Sequence, residues 1–458
     1  MSRLSRLDSS SSSDDDDEPE LILSALHQAH TQYLALNSPR WGGSIPGRNY
    51  IHRERESGHF RLYNDYFSEH PTYGESIFRR RFANILVNSF ALFSHALSMC
   101  KFFILISLLR FRMARPLFLR IMQAIEQHDN YFVQKRDRCG RLGLSCLQKV
   151  TAALMMISYG VPADFMDQYI RIGESTALES LKRFVIAVVE VFGGEYLRSP
   201  NEHDTARLLA IGERRGFPGM LGSIDCMHWQ WKNCPVAWHG QYTGHKREPT
   251  IILEAVASKD LWIWHAFFGL PGSLNDINVL HRSHLFSKLA EGEAPQVNFT
   301  INGHNYTMGY YLADGIYPKW ATFVKTITNP HGNKRKYFAK AQEAVRKDVE
   351  RAFGVLQARF AIVRGPARSW DKETLREIMT ACVIMHNMIV EDERNEEDDF
   401  HYEGIGQLVR PTQREVRNRT HELHEFMQAH HNIRNMETHN QLKEDLIEHL
   451  WQRHADLY

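Results

Sequence analysis

The chain has no CxxC pair. Its six cysteines, Cys100, Cys139, Cys146, Cys226, Cys234 and Cys382, are too far apart for a disulfide framework, which points to a reducing compartment. Net charge is nearly absent as well: 55 basic against 54 acidic residues leave +1, so any attraction to a polyanion must come from local clusters. The 25 histidines are scattered and form no His-rich tract. The opening "MSRLSRLDSSSSSDDDDEPE" contains no apolar core segment, so a cleaved secretory signal is not expected. A hydrophobic content of 43% with 24% charged residues excludes a wholly disordered chain. At 458 residues the chain exceeds what one hydrophobic core organises, and two or three domains are expected.

Residues 1–20 form a Ser/Asp tail that cannot bury a core and is expected to be disordered. Residues 21–82 read as an N-terminal arm: a helical "ELILSALHQAHTQYLALN", then a Gly/Arg/aromatic stretch without period. Residues 83–111 are the only long apolar run. Lys101 lies well inside it, asparagines and serines dilute it, and arginines flank both ends, so a membrane helix is not expected. From 112 to 200 the pattern is helical. Over 145–192, helical runs broken at Gly160 and at "RIGES" outline a helix-turn-helix, with Thr176 and Glu179 at capping-box spacing. Helical pairs are common, so this outline does not by itself establish DNA binding; Lys182 and Arg183 favour it.

Residues 221–390 change character. "GSIDCMHWQW", "TIILEAVAS" and "LWIWHAFFG" are strand-like, with "SKD" as the turn between the last two, and "YYLADGIYP" is a later strand. "FAKAQEAVRKDVERAFGVLQARF" is helical, with Val345, Val349, Phe353, Leu356 and Phe360 on one face. The order predicts an α/β domain with a mixed sheet. Residues 391–458 read as an acidic linker and a helical tail.

Three carboxylates occupy positions that such a fold brings together: Asp225 within the first strand, Asp314 closing a later one, and Glu350 beside the apolar stripe of the helix. Carboxylate oxygens suit Mg²⁺ or Mn²⁺, and two such ions roughly 4 Å apart serve phosphodiester chemistry. Single acidic residues are common, however, and spacing alone leaves other trios open. A zinc site at Cys226, His228, Cys234 and His239 is the rival, but the spacing fits no compact zinc pattern. In a strand, Cys226 and His228 would face away from Asp225 and Met227. The clusters "FRRRF", "GHKRE" and "NKRK", with Arg346 near Glu350, are candidate phosphate contacts or simply solvated surface.

In order, "GSIDCMHWQW", "PGSLNDINVL", "YYLADGIYP" and "RKDVERAFGVLQARF" resemble the nuclease domain of PIF/Harbinger-type transposases, and more closely the plant transposon-derived proteins of that superfamily. The likeness extends upstream to "GGSIPGRNYIHRERESGHFRLYNDYF" and "FRMARPLFLRIM" and downstream to "CVIMHNMIVEDER", covering most of residues 40–395. It implies a ribonuclease H-like nuclease domain preceded by an all-helical, helix-turn-helix-like domain. Asp225, Asp314 and Glu350 become its catalytic, metal-holding triad for Mg²⁺ or Mn²⁺. Asp276, in "GSLNDINVL", matches a further acidic position; its alternative role is a helix N-cap. The resemblance also implies DNA as substrate and a Myb/SANT-like DNA-binding partner; a nuclear compartment and a homo-oligomer are further expectations.

One departure stands out. Removing residues 83–111 joins "FRRRF" to "RMARPLF" and restores the family's continuity, so the apolar run reads as an insertion, such as a translated intron. The expected function is a metal-dependent DNA endonuclease of transposase origin. The alternative is a domesticated, catalytically silent DNA- or chromatin-associated protein.

Overall fold

A computed structural model describes residues 51–81, 113–287, 297–394, 427–428 and 430–455. The Ser/Asp tail, most of the arm, the apolar run 83–111 and most of the acidic linker lie outside these residues. The chain divides into two units, Met1–His52 and Arg53–Tyr458, and the second carries the sheet and its helices.

The central element is β1 (Met220–Gln230). It pairs antiparallel with β2 (Thr250–Ala257), which pairs antiparallel with β3 (Ile263–Pro271). A small hairpin, β4 (Phe299–Ile301) and β5 (His304–Tyr306), comes next. Two later strands, β6 (Tyr310–Ala313) and β7 (Phe323–Lys325), run parallel to β1 on its other side, giving the order β3-β2-β1-β6-β7. The α/β class and mixed sheet expected from the sequence are present, and order and strand senses are consistent with a ribonuclease H-like nuclease fold.

Alternation along β1 decides what each face meets. Ser223, Asp225, Met227 and Trp229 turn toward the long helix Asn333–Arg359: the Val349 N–H lies 3.0 Å from Ser223 Oγ, and the Gln357 amide reaches Met227 Sδ. Ile224 packs on the opposite face with Val256, Leu280, Ala313, Tyr317 and Phe323. The apolar stripe anticipated on the helix is the buried one, Val349, Ala352, Phe353 and Leu356 lying against the sheet. Arg215, just before β1, pairs with buried Asp348 and fixes the helix over the strand.

The helical segment comprises α1 (Arg55–Tyr66), α2 (Glu75–Arg81), α3 (Arg115–His128), α4 (Cys146–Tyr159), α5 (Met166–Ile170), α6 (Glu174–Tyr196) and α7 (Glu202–Arg214). After β1–β3 come α8 (Asp276–Leu280), α9 (Asn333–Arg359), α10 (Lys372–Asp392) and α11 (Met436–Ala455). Gly160 ends α4 at φ 62°, as its place in the sequence suggests. The capping box does not lie at Thr176: α6 begins at Glu174 after Gly173, so Thr176 and Glu179 are already inside the first turns. The boxes are Ser145 with Gln148 and Asn201 with Asp204. Rather than standing free, α6 packs on α10 and α4, burying Phe184, Val185, Val188 and Phe192. Arg183 is held by Glu179 and Asp129. The tail helix α11 buries Leu442, Leu446 and Leu450 beside Phe217, Tyr310 and Phe338. Among the described residues no helix is long and apolar enough to cross a membrane.

"CVIMHNMIV" acquires a structural role. Asn387 accepts from Ile263 N–H at 2.9 Å and donates to Ile263 O at 2.8 Å and Tyr196 O at 2.7 Å, joining β3, α10 and α6. Its neighbour His386 donates through Nε2 to Leu261 O at 2.8 Å and accepts at Nδ1 from Arg359. Burial, reinforced by the Arg359 charge, pushes this imidazole down to about 3. Unfolded, the same side chain takes up a proton near pH 6.5, so the unfolded state binds the extra proton and stability falls as pH drops below 6.5. His386→Gln should flatten the stability–pH curve between pH 6.5 and 5 by up to about 1.4 kcal/mol per pH unit relative to wild type. Denaturant melts at half-unit pH steps measure it; parallel curves would refute the buried neutral histidine.

Candidate active site beside the central strand

The β1–β6 register sets the site. Ser223 lies beside Leu312 in the parallel pair, and two residues further along each strand stand Asp225 and Asp314. Asp314 follows β6 directly and accepts at 2.9 Å from Ile316 N–H, which folds the chain over at the strand end. Glu350 lies on α9 one turn beyond Arg346, whose guanidinium reaches Glu350 at 3.0 Å and Asp225 at 3.7 Å. Arg346 therefore sits between two of the three expected triad members.

Asp276 approaches from the other face of β1, through contact with Cys226, and senses both Asp225 and Asp314 electrostatically. It does not cap α8: Asn275 does, accepting from Asn278 N–H at 2.9 Å, while Asp276 is the first helical residue. Its carboxylate is thereby left for the cluster, where burial and then the Asp314 charge raise its proton affinity. Asp225 is pushed up to about 6. Burial is the main cause, with Asp276 and Glu350 adding to it and the Cys226 N–H and Arg346 opposing it.

The four carboxylates thus form one electrostatically linked chain, Glu350–Asp225–Asp276–Asp314, beside the middle of β1 and the end of β6. They do not close into a cage: among the described residues no three His, Cys, Asp or Glu side chains stand ready to hold one ion. Their chemistry nonetheless fits a hard divalent cation. They supply oxygen donors alone, and a positive charge already lies between Asp225 and Glu350. Glu350, 42% exposed at its side chain, is the member turned more toward solvent, against 21% for Asp225.

The sulfur and imidazole groups of the same stretch serve packing. The Cys226 thiol meets the Tyr317 hydroxyl at 3.7 Å, and burial pushes it up, so it stays protonated. His228 Nδ1 pairs with Thr250 Oγ1 at 3.0 Å, and His239 donates to Cys234 O at 2.9 Å. Of the basic residues near Glu350, Lys334 and Arg335 are drawn to Glu448 and Glu444 of α11. The contact of Arg346 with Asp225 is invisible to residue spacing, although its four-residue separation from Glu350 signals a helical pair. Glu254, fully buried in β2 and bound to His265 at 3.1 Å, also escapes the motif reading; a lone charge in the apolar run "TIILEAVA" is its signal.

Residues 194–397 match the family of plant transposon proteins, the span that carries β1 to α10 and every carboxylate of the cluster. This match and the relatives below support a Harbinger-type family of transposase-derived nucleases. Among relatives, a protein named ALP1-like from Arabidopsis thaliana is 23% identical over 56% of this chain and 63% of its own length. Antagonist of like heterochromatin protein 1, also from Arabidopsis thaliana, is 22% identical over 55% of the chain and 64% of its own length. The human protein named "Putative nuclease HARBI1" is 24% identical over 53% of the chain and 67% of its own length. The chain spans less than two thirds of the two plant relatives. No solved structure matches. Residues 58–83 separately match a domain of unknown function, and this match stops where the apolar run begins.

Arg346 compensates carboxylates that are partly removed from water. Arg346→Met should destabilise the chelated protein by roughly 1–3 kcal/mol at pH 7.5, as expected when one partner of a half-buried pair is removed. The loss should shrink when Asp225→Asn is already present. Denaturant melts of the four proteins of this cycle test the coupling, and additive losses would show that Arg346 and Asp225 act independently.

Proposed function

We propose that this chain is a divalent-metal-dependent DNA endonuclease of transposase origin. What supports the reading is the electrostatic coupling of Asp225 to Glu350 and Asp276, and of Asp276 to Asp314, around the middle of β1 and the end of β6. Similarity to a family of plant transposon proteins and to a relative named putative nuclease supports it. Asp225, Asp314 and Glu350 would hold Mg²⁺ or Mn²⁺, with Asp276 as a further donor. Two bound ions would supply an activated water and stabilisation of the leaving oxygen in phosphodiester hydrolysis.

The protein's own contribution is placement. Asp225 and Asp314 project from adjacent hydrogen-bonded strands, whose spacing is set by the sheet. Glu350 stands on a helix fixed to the same strand, and Arg346 holds the carboxylates together before a metal arrives. On this reading the substrate is DNA and the compartment the nucleus. The helical segment, a Myb/SANT-like partner and a second copy of the chain would share in holding transposon ends.

The second reading is a catalytically silent, chromatin-associated protein that retains the fold. The name of the relative called antagonist of like heterochromatin protein 1 favours it. Nicking of terminal-inverted-repeat DNA with Mg²⁺ or Mn²⁺, with and without the Myb-like partner, separates the two. Wild type should nick, and Asp314→Asn should be slower by about 100-fold or more, since even supporting groups around a metal cost 10–100-fold. Equal rates would end the triad assignment. No nicking by either protein, with DNA binding retained, would favour the silent reading.

A further inference from the structure

Beyond the carboxylate cluster, two loops, 231–249 and 365–371, meet past the C-terminal end of β1. Trp231, fully buried, joins them: its N–H donates to Pro249 O at 2.8 Å, its backbone bridges to Ala367, and its indole donates to Ser369 O at 2.8 Å. The Asn233 amide adds a bond of 2.6 Å to Arg368 O. Around this fixed junction large apolar side chains face solvent, with Trp370 68% and Trp238 42% exposed beside Val236. Trp238 stands 5.9 Å from the Trp231 ring and 6.2 Å from Tyr242, so it is presented on an aromatic base.

The same loops carry Lys232, Lys246, Arg247 and Arg368, all exposed. None of the four makes an ion pair among the described residues, whereas Lys334, Arg335 and Arg376 elsewhere on the surface are matched to glutamates. Of the nearby acids, Asp371 is engaged in capping α10 through Thr374, leaving Glu248 as the exposed carboxylate of the 244–248 loop. Exposed tryptophans alone would suit a protein partner. Unpaired lysines are depleted at protein interfaces, and aromatic rings interleaved with free cations match the chemistry of stacked bases and phosphates.

We propose that loops 231–249 and 365–371 form a second DNA contact, for a strand carrying unpaired bases, in which Trp238 and Trp370 stack on bases while Lys232, Lys246, Arg247 and Arg368 meet phosphates. The proposal rests on the DNA reading above. At a strand rise of roughly 3.3 Å, the six residues from Asp225 to Trp231 span about 20 Å, or some six base steps from the carboxylates. A surface there would grip a DNA end that has been opened beside the cutting point.

The test is equilibrium binding of the full chain, with chelator present, to a labelled 20-nucleotide single strand and to a duplex of the same sequence. Wild type should bind both. The Trp238→Ala/Trp370→Ala double variant should weaken single-strand binding by about 5- to 100-fold and duplex binding far less, as the value of base–aromatic stacking predicts. Lys232→Ala/Arg368→Ala should lower the salt dependence of single-strand binding by roughly 1.4, about 0.7 for each phosphate no longer neutralised. Matching far-UV spectra and melting temperatures would show that these surface variants are folded. Unchanged affinities, or equal losses on single strand and duplex, overturn the proposed stacking surface while leaving DNA binding intact. If wild type binds neither DNA, the DNA reading itself fails.

Discussion

The parallel pairing of β1 with β6 is the constraint on which the rest depends. A parallel ladder holds neighbouring strands at about 4.8 Å with little freedom of register. Once Ser223 stands beside Leu312, Asp225 and Asp314 each follow two residues further on, although 89 positions separate them in the chain. A slip of one residue would turn Asp225 into the apolar layer of Ile224, Val256 and Tyr317. Burial of that layer and of the α9 interface on opposite faces therefore protects the carboxylate geometry as well as the fold.

Concentrating negative charge has a cost, and the surroundings offset it. Asp225 and Asp276 both hold protons more tightly than free carboxylates because burial and like charges act together. Arg346 opposes this by placing a guanidinium between Asp225 and Glu350. A site so arranged is matched to a cation: it presents oxygen donors, unsatisfied negative charge, and one flexible positive side chain able to exchange contacts. The helices behind the sheet contribute rigidity. Asn387 and His386 join α10 to β3 and to the segment before it, and Asn387 extends this to α6, so the strands rest on a hydrogen-bonded polar layer.

Much of this is legible in residue patterns. The strand-like runs, the apolar stripe of α9, the helix ending at Gly160 and the opposition of Cys226 and His228 to Asp225 all follow from periods of 2.0 and 3.6. The misplaced capping box at Thr176 shows the limit of that reading. Spacing specifies which residues can cap, but where a helix starts depends on the turn before it, here "RIG". Asp276 illustrates the same point, since Asn275, one residue earlier, takes the cap and frees its neighbour.

The sequence by itself determined the elements, the faces they bury and the family resemblance, because local periodicity and ordered motifs need no knowledge of distant partners. Only the tertiary structure decided which charges meet. Arg346 lies between Asp225 and Glu350, Lys334 and Arg335 are drawn away to α11, and Asp276 comes in through Cys226. Electrostatic contacts fall off over a few ångströms and join residues tens or hundreds of positions apart, so they become readable only once the sheet register and the helix docking are set.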